Sequence, residues 1–190
     1  KLANKLCSLR PNEEKLTFSA IFEITPLARI AASRFTRTVI NSDHRFTYEQ
    51  AQAVIENPKA EHEGVQKEVA DAVLVLHGIA TKLRKKRFAS GAISFERPEM
   101  KVEVDEKGRP VNVYQKITKE ANWLIEEFML LANRSVAEFV SVKCKKSFVY
   151  RVHDEPNQEK VEALRNFIGN FGYRMGPTTS GKEISKELNS

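Results

Sequence analysis

The sequence predicts an α+β fold, antiparallel strands with at least three helices packed on them, and three observations carry that prediction. One stretch alternates apolar and polar residues with a period of two. Three long stretches repeat apolar residues every three to four positions. Turn-forming residues separate these stretches at short intervals, without the regular strand–helix alternation of a parallel sheet.

In order along the chain, residues 14–24 (EKLTFSAIFEI) place Leu16, Phe18, Ala20, Phe22 and Ile24 on one side of a strand. Lys15, Thr17, Ser19 and Glu23 fall largely on the other, so a half-buried strand with an apolar inner face is expected. Pro26 ends it, because proline has no N–H to give a ladder. Residues 28–40 form a second strand, antiparallel to the first across a turn near Thr25 and Pro26. Thr47 then opens a short helix as N-cap, with Gln50 three residues on completing a capping box, and Pro58 lies beyond its end near Ile55. Residues 64–87 read as a long helix along Val65, Val69, Ala72, Val73, Leu76, Ile79, Ala80 and Leu83. Short strands are expected at 92–95, 100–104 and 111–116, the last two joined through Asp105, Glu106, Lys107 and Gly108. A second long helix covers 118–140, a strand 148–151, and a third helix 156–171, with Pro156 near its first turn and Gly172 after it. Residues 1–173 are read as one partial domain, and the polar stretch 174–190 as a frayed or incomplete end.

Composition narrows the class. With 41% apolar and 29% charged residues in 190, the chain has the makings of a folded core. No apolar run reaches the roughly 18 residues that span a bilayer. Two cysteines, Cys7 and Cys144, fit a reducing compartment better than a disulfide framework, so a cytoplasmic location is expected. The formal charge of +6 favours a polyanionic partner without proving one. Neither G-x-G-x-x-G nor G-x-x-x-x-G-K-[ST] occurs, which removes the common nucleotide loops.

Residues with possible chemistry fall in three places. On the helix at 118–140, Leu124, Ile125, Phe128, Leu131, Ala132, Val136 and Phe139 make one apolar face, and Trp123, Leu130 and Ala137 a stripe almost opposite. Such a helix is expected to be covered on two sides. Glu126 lies within the second stripe and Glu127 beside it. A carboxylate on so enclosed a helix either has an internal partner or projects into a cleft as an acceptor. Lys82, Arg84, Lys85, Lys86 and Arg87 place five cations in six residues at a helix C-terminus. The helix dipole accounts for one or two of them, and phosphate contact for the excess. Phe95 closes the segment GAISF, where an aromatic serves either the core or base stacking. His153 is expected to be structural.

The stretches LCSLRPNEEKLTFS (6–19), HRFTYEQAQAVI (44–55), GAISFERPE (91–99), LIEEFMLLANRSVAE (124–138) and YRVHDEPNQEK (150–160) together resemble ribonucleases R and II, a family of 3'-to-5' exoribonucleases. The motifs occur in that family's order and cover nearly the whole chain. The resemblance implies a nuclease domain that hydrolyses single-stranded RNA from its 3' end to nucleoside 5'-monophosphates. Magnesium, held by a cluster of aspartates, would activate the water. It also implies that Phe95 stacks on a 3'-terminal base, and that Glu127, or Glu126 if the alignment slips by one, lies near the terminal sugar. The chain departs from the family in lacking the aspartate cluster, which would precede LCSL, and the arginine-bearing segment, which would follow Ser190. The expectation is therefore an internal part of a catalytic domain, inactive alone, whose partners are RNA, flanking cold-shock and S1 barrels and the rest of the nuclease domain. A non-catalytic RNA-binding or scaffold module is the alternative.

Overall fold

A computed structural model describes residues 7–93, 99–152, 154, 156–176, 178 and 180–189. Among the described residues, two antiparallel two-stranded sheets and five α-helices make an α+β fold, as expected. The chain divides into two units, one of Lys1–Arg84 and Thr118–Phe148, the other of Lys85–Ile117 and Val149–Ser190.

In the first unit, β1 (Glu14–Ile24) pairs with β2 (Ile30–Asn41), Thr17 opposite Thr38 and Ala20 opposite Phe35. The loop between them is closed by Thr25 N–H on the Arg29 carbonyl (2.9 Å), and Ala28 takes a left-handed φ of 53°. That is a three-residue hairpin loop whose last position favours glycine. The alternation of β1 differs from expectation over its first half. Leu16 is 89% exposed, and Phe18 is exposed with it. Thr17, Ser19 and Thr38 are instead part-buried and joined through their hydroxyls, at 2.7 Å and 2.6 Å. A period of two separates two faces but does not say which one another element covers. Farther along, Phe35 meets Phe22 edge-on (centroids 6.1 Å) and Phe139 at 4.9 Å, tying the hairpin to the end of the long C-terminal helix of this unit.

Helix α1 (Tyr48–Glu56) starts on the expected capping box: Gln50 N–H donates to Thr47 Oγ1 and Thr47 N–H to Gln50 Oε1. Helix α2 spans Lys67–Ala89, starting later than the apolar periodicity suggested because a turn closed by Val65 N–H on the His62 carbonyl (3.0 Å), with Gly64 at φ 71°, precedes it. Only Ala80 of its apolar stripe is fully buried, and Val75 and Leu76 are exposed. Helix α3 (Glu120–Glu138) passes directly into a π-helical turn, Phe139–Lys143. The core of this unit holds Ala28, Val54, Ala80, Ala121 and Leu124.

In the second unit, β3 (Glu99–Val104) pairs with β4 (Pro110–Lys116). Their loop has the same form as the first, with Gly108 (φ 77°) at the left-handed position. Asp105 Oδ1 accepts from the Lys107 and Arg109 amides, both at 2.9 Å. Helix α4 (Gln158–Gly169) is capped by Asn157, so Pro156 lies just outside it rather than in its first turn. The stretch after residue 173, expected to fray, carries helix α5 (Gly181–Leu188), opened by a Ser180–Glu183 capping box. Its Ile184 packs with Val161 and Met175. Two apolar residues at the right places suffice to dock a short polar helix.

Two further expectations change. Residues 148–151 are not a strand. The segment has no regular backbone pattern, and Val149 is 91% exposed. Strand propensity alone does not make a strand. Ala92 and Ile93 are likewise irregular. The rest of the strand expected at 92–95, with Phe95, lies outside the described residues, as does His153.

Candidate functional site

The covered face of α3 is Ala121, Leu124 and Glu127, one carboxylate on an otherwise apolar stripe. Glu127 is 4% exposed. Of the two adjacent glutamates it is the buried one, and Glu126 is part-buried. Ile125, expected on the covered apolar face, is 51% exposed, and Leu130 of the opposite stripe is also exposed. The opposite stripe is covered only in part: Trp123 and Ala137 are part-buried, Trp123 beneath Arg84 of α2.

From α2, Arg84 reaches α3 and meets two of its residues. The guanidinium carbon stands 4.4 Å from the centre of the Trp123 ring. Arg84 Nη1 lies 4.0 Å from Glu127 Oε1. Trp123 and Glu127 are four apart on α3, hence on one ridge of the helix. Beside them a cavity of about 290 Å³ is lined by His77, Ala80, Thr81, Arg84, Glu120, Trp123 and Leu124.

The start of α3 is held from α1. Gln52 is buried, and its Oε1 accepts from the Ala121 backbone N–H (3.0 Å). Its Nε2 donates to Glu120 Oε2 (2.7 Å) and Glu56 Oε1 (3.0 Å). One amide from another helix thus satisfies an N-terminal donor of α3 that Lys119, at the N-cap position, cannot satisfy with its own side chain. Lys119 Nζ closes the cluster on Glu56 Oε1 (2.9 Å). The hydrogen bond from Lys119, then that from Gln52, holds the Glu56 carboxyl below its ordinary range, and the same contact raises the Lys119 ammonium. Glu120 is also held low, first by its own backbone N–H and then by Gln52, with His77 adding a smaller attraction.

The basic run at the end of α2 separates into distinct environments. Lys82 Nζ donates to the Pro26 carbonyl (2.7 Å), binding the β1–β2 loop. Arg84 is engaged with Trp123 and Glu127 as above. Lys85 and Lys86 are exposed, and the Arg87 guanidinium lies over the Phe88 ring at 5.1 Å. Among the described residues no group of three or more His, Cys, Asp or Glu converges as a metal cage. Both cysteines are free and exposed. No helix among the described residues is long and apolar enough to cross a membrane.

Sequence reasoning passed over Gln52, Glu120 and His77. Local pattern gave no signal for Gln52, which lies two residues from Val54 and so on nearly the opposite side of α1. Its partners, 68 and 69 residues away, leave no trace in local pattern.

The profile of the RNB domain matches residues 1–190. The chain is 37% identical to DIS3-like exonuclease 2 of Schizosaccharomyces pombe over 94% of its own length and 20% of that protein's. It is equally similar to ribonuclease R of Aquifex aeolicus, 37% over 92% of this chain and 24% of the relative. The structure of Mycoplasma genitalium RNase R in complex with ribose-methylated single-stranded RNA superposes with a TM-score of 0.85 at 25% identity, covering 99% of this chain and 29% of that one. The chain thus spans roughly a quarter or less of the length of these curated relatives.

Proposed function

Since the chain belongs to the RNB domain family, we propose that the whole protein containing it is an exoribonuclease that degrades single-stranded RNA from its 3' end to nucleoside 5'-monophosphates. These 190 residues supply part of the wall that grips the RNA. The observation that carries this reading is the match to the family over the full chain, shared with relatives named as ribonucleases and exonucleases.

Glu127 accepts a hydrogen bond from the ribose of the terminal nucleotide. A carboxylate is an acceptor only, and the 2'-hydroxyl is the donor that DNA lacks. The family resemblance gives this part to Glu127, or to Glu126 if the alignment slips by one. Phe95 offers a ring face to a base near the 3' end, a contact of roughly 1–3 kcal/mol. Lys85, Lys86 and Arg87 neutralise phosphates and carry no base information. Lys82 and Arg84, read from sequence as members of that group, have internal partners and are assigned other work.

Magnesium is the cofactor the family resemblance implies, and it would activate water and stabilise the leaving oxygen. The described residues do not assemble a cage for it. In this reading its carboxylates, like the cold-shock and S1 barrels, belong to the protein outside these 190 residues. The isolated chain is then inactive, and the whole protein works in the cytoplasm.

The test compares the 190-residue chain with the whole protein on a 5'-labelled oligoribonucleotide. The whole protein should shorten it stepwise from the 3' end and the isolated chain should leave it intact. In the whole protein, Glu127→Gln should lower the preference for a ribose over a deoxyribose 3' end by about tenfold or more, the worth of a hydrogen bond to a charged acceptor. A whole protein that binds RNA without shortening it would replace this reading with the non-catalytic module.

A further inference from the structure

We propose that Arg84 is a positioning residue for Glu127: clamped on the Trp123 ring, it holds the buried carboxylate in place for the ribose and does not itself contact phosphate. The inference rests on the ribose role of Glu127 proposed above.

A carboxylate 4% exposed needs compensating charge, and Arg84 brings it from α2. The 4.0 Å separation is an ion-pair distance, longer than a hydrogen bond. Arg84 Nη1 therefore attracts Glu127 Oε1 as a charge, at more than hydrogen-bond distance. The guanidinium is itself fixed, 4.4 Å above the Trp123 ring. A planar, weakly hydrated cation suits that position, and a lysine ammonium on a flexible stem does not reproduce it. Trp123 and Glu127 lie on one ridge of α3, so one side chain from α2 sets both the rotation of that ridge and the field at the carboxylate. Arg84 is engaged with Trp123 and Glu127, and the exposed Lys85 and Lys86 that follow it on α2 are the cations left to meet phosphate.

The experiment uses the whole protein with metal withheld by EDTA, so that binding is read without cleavage. Two probes, a fluorescent oligoribonucleotide and the same oligomer with 2'-deoxy sugars at its 3' end, are titrated by anisotropy at several salt concentrations. The proteins are wild type, Arg84→Lys, Glu127→Gln and the double variant, each checked by circular dichroism. Trp123→Phe serves as the second variant should Arg84→Lys not fold. Arg84→Lys is expected to lower the ribose preference severalfold, to add nothing in the Glu127→Gln background, and to leave the salt slope of RNA binding unchanged. Trp123→Phe, which keeps a smaller ring, should lower the preference in the same direction by less.

Equal weakening on both probes with a shallower salt slope would make Arg84 a phosphate ligand and overturn the proposal. So would an unchanged preference in Arg84→Lys while Glu127→Gln loses it. An unchanged preference in Glu127→Gln would instead remove the ribose role itself, and Arg84's positioning role with it.

Discussion

Replacing Gln52 by alanine removes the acceptor of the Ala121 amide and the amide donor to Glu120 and Glu56. Both Gln52 and Ala121 are buried, so water does not readily take over. An orphaned buried amide costs about 1–3 kcal/mol and a lost hydrogen bond to a charged acceptor about 1.5–3 kcal/mol. The Glu56 contact adds little, since Lys119 remains on the same oxygen. Glu120 keeps its own backbone donor, which trims the second figure. A loss of about 3 kcal/mol follows. The assay is urea denaturation of wild type and variant, with hydrogen exchange at the first turn of α3 as the local readout. Gln52→Glu sharpens the test. It puts a third carboxylate against Glu56 and Glu120, and the crowding raises its folded-state pKa above the unfolded value of about 4.3. Its destabilisation should therefore grow as pH rises above that value and shrink in acid, where the protonated side chain again offers a donor. A change under about 0.5 kcal/mol in Gln52→Ala, with exchange at Ala121 unaltered, would refute the claim that this side chain holds the start of α3.

The two hairpin loops make opposite predictions. Ala28→Gly should stabilise by up to about 1 kcal/mol and Gly108→Ala destabilise by about as much; open space around Gly108 leaves only the backbone term. Thermal melts of both variants check this, and a loss in Ala28→Gly would show that its buried methyl outweighs its φ. The folded-state pKa values of Glu56, Glu120 and Asp105 are depressed. Their contributions are whole above the unfolded carboxylate values of about 4 and lost as pH falls through the folded values. Lys119 is raised, so its part is whole below about 10.4 and lost as pH rises through its folded value. Stability against pH should show a plateau between these limits, and a maximum inside the acid limb would contradict it. In the whole protein, Lys85→Glu with Lys86→Glu should weaken RNA binding equally for all sequences and lower the logarithmic salt slope by at least about 1.4. An unchanged slope in a salt titration would remove both residues from the phosphate surface.

What the sequence determined by itself was local or carried by motif. The α1 capping box, the Asp105–Gly108 loop and the helical periods of α2, α3 and α4 depend on neighbours within a few residues. They were therefore visible in the chain. The family resemblance was legible because five motifs stand in order, and the profile match over residues 1–190 agrees with it.

Tertiary structure decided which surface of each element is covered. Alternation in β1 marked two faces, but the hydroxyls of Thr17, Ser19 and Thr38 are the part-buried set while Leu16 lies open. The segment 148–151 is irregular despite its strand propensity, and α5 is docked through Ile184 on Val161 and Met175. Five cations at the end of α2 looked alike in sequence. The approach of α3 separated Arg84 from the exposed lysines by placing Trp123 and Glu127 beneath it. Helical spacing set Glu126 within the second stripe and Glu127 beside it, yet Glu127 is the buried one of the two. Burial depends on the direction from which α1 and α2 approach, and that direction is a property of the folded chain.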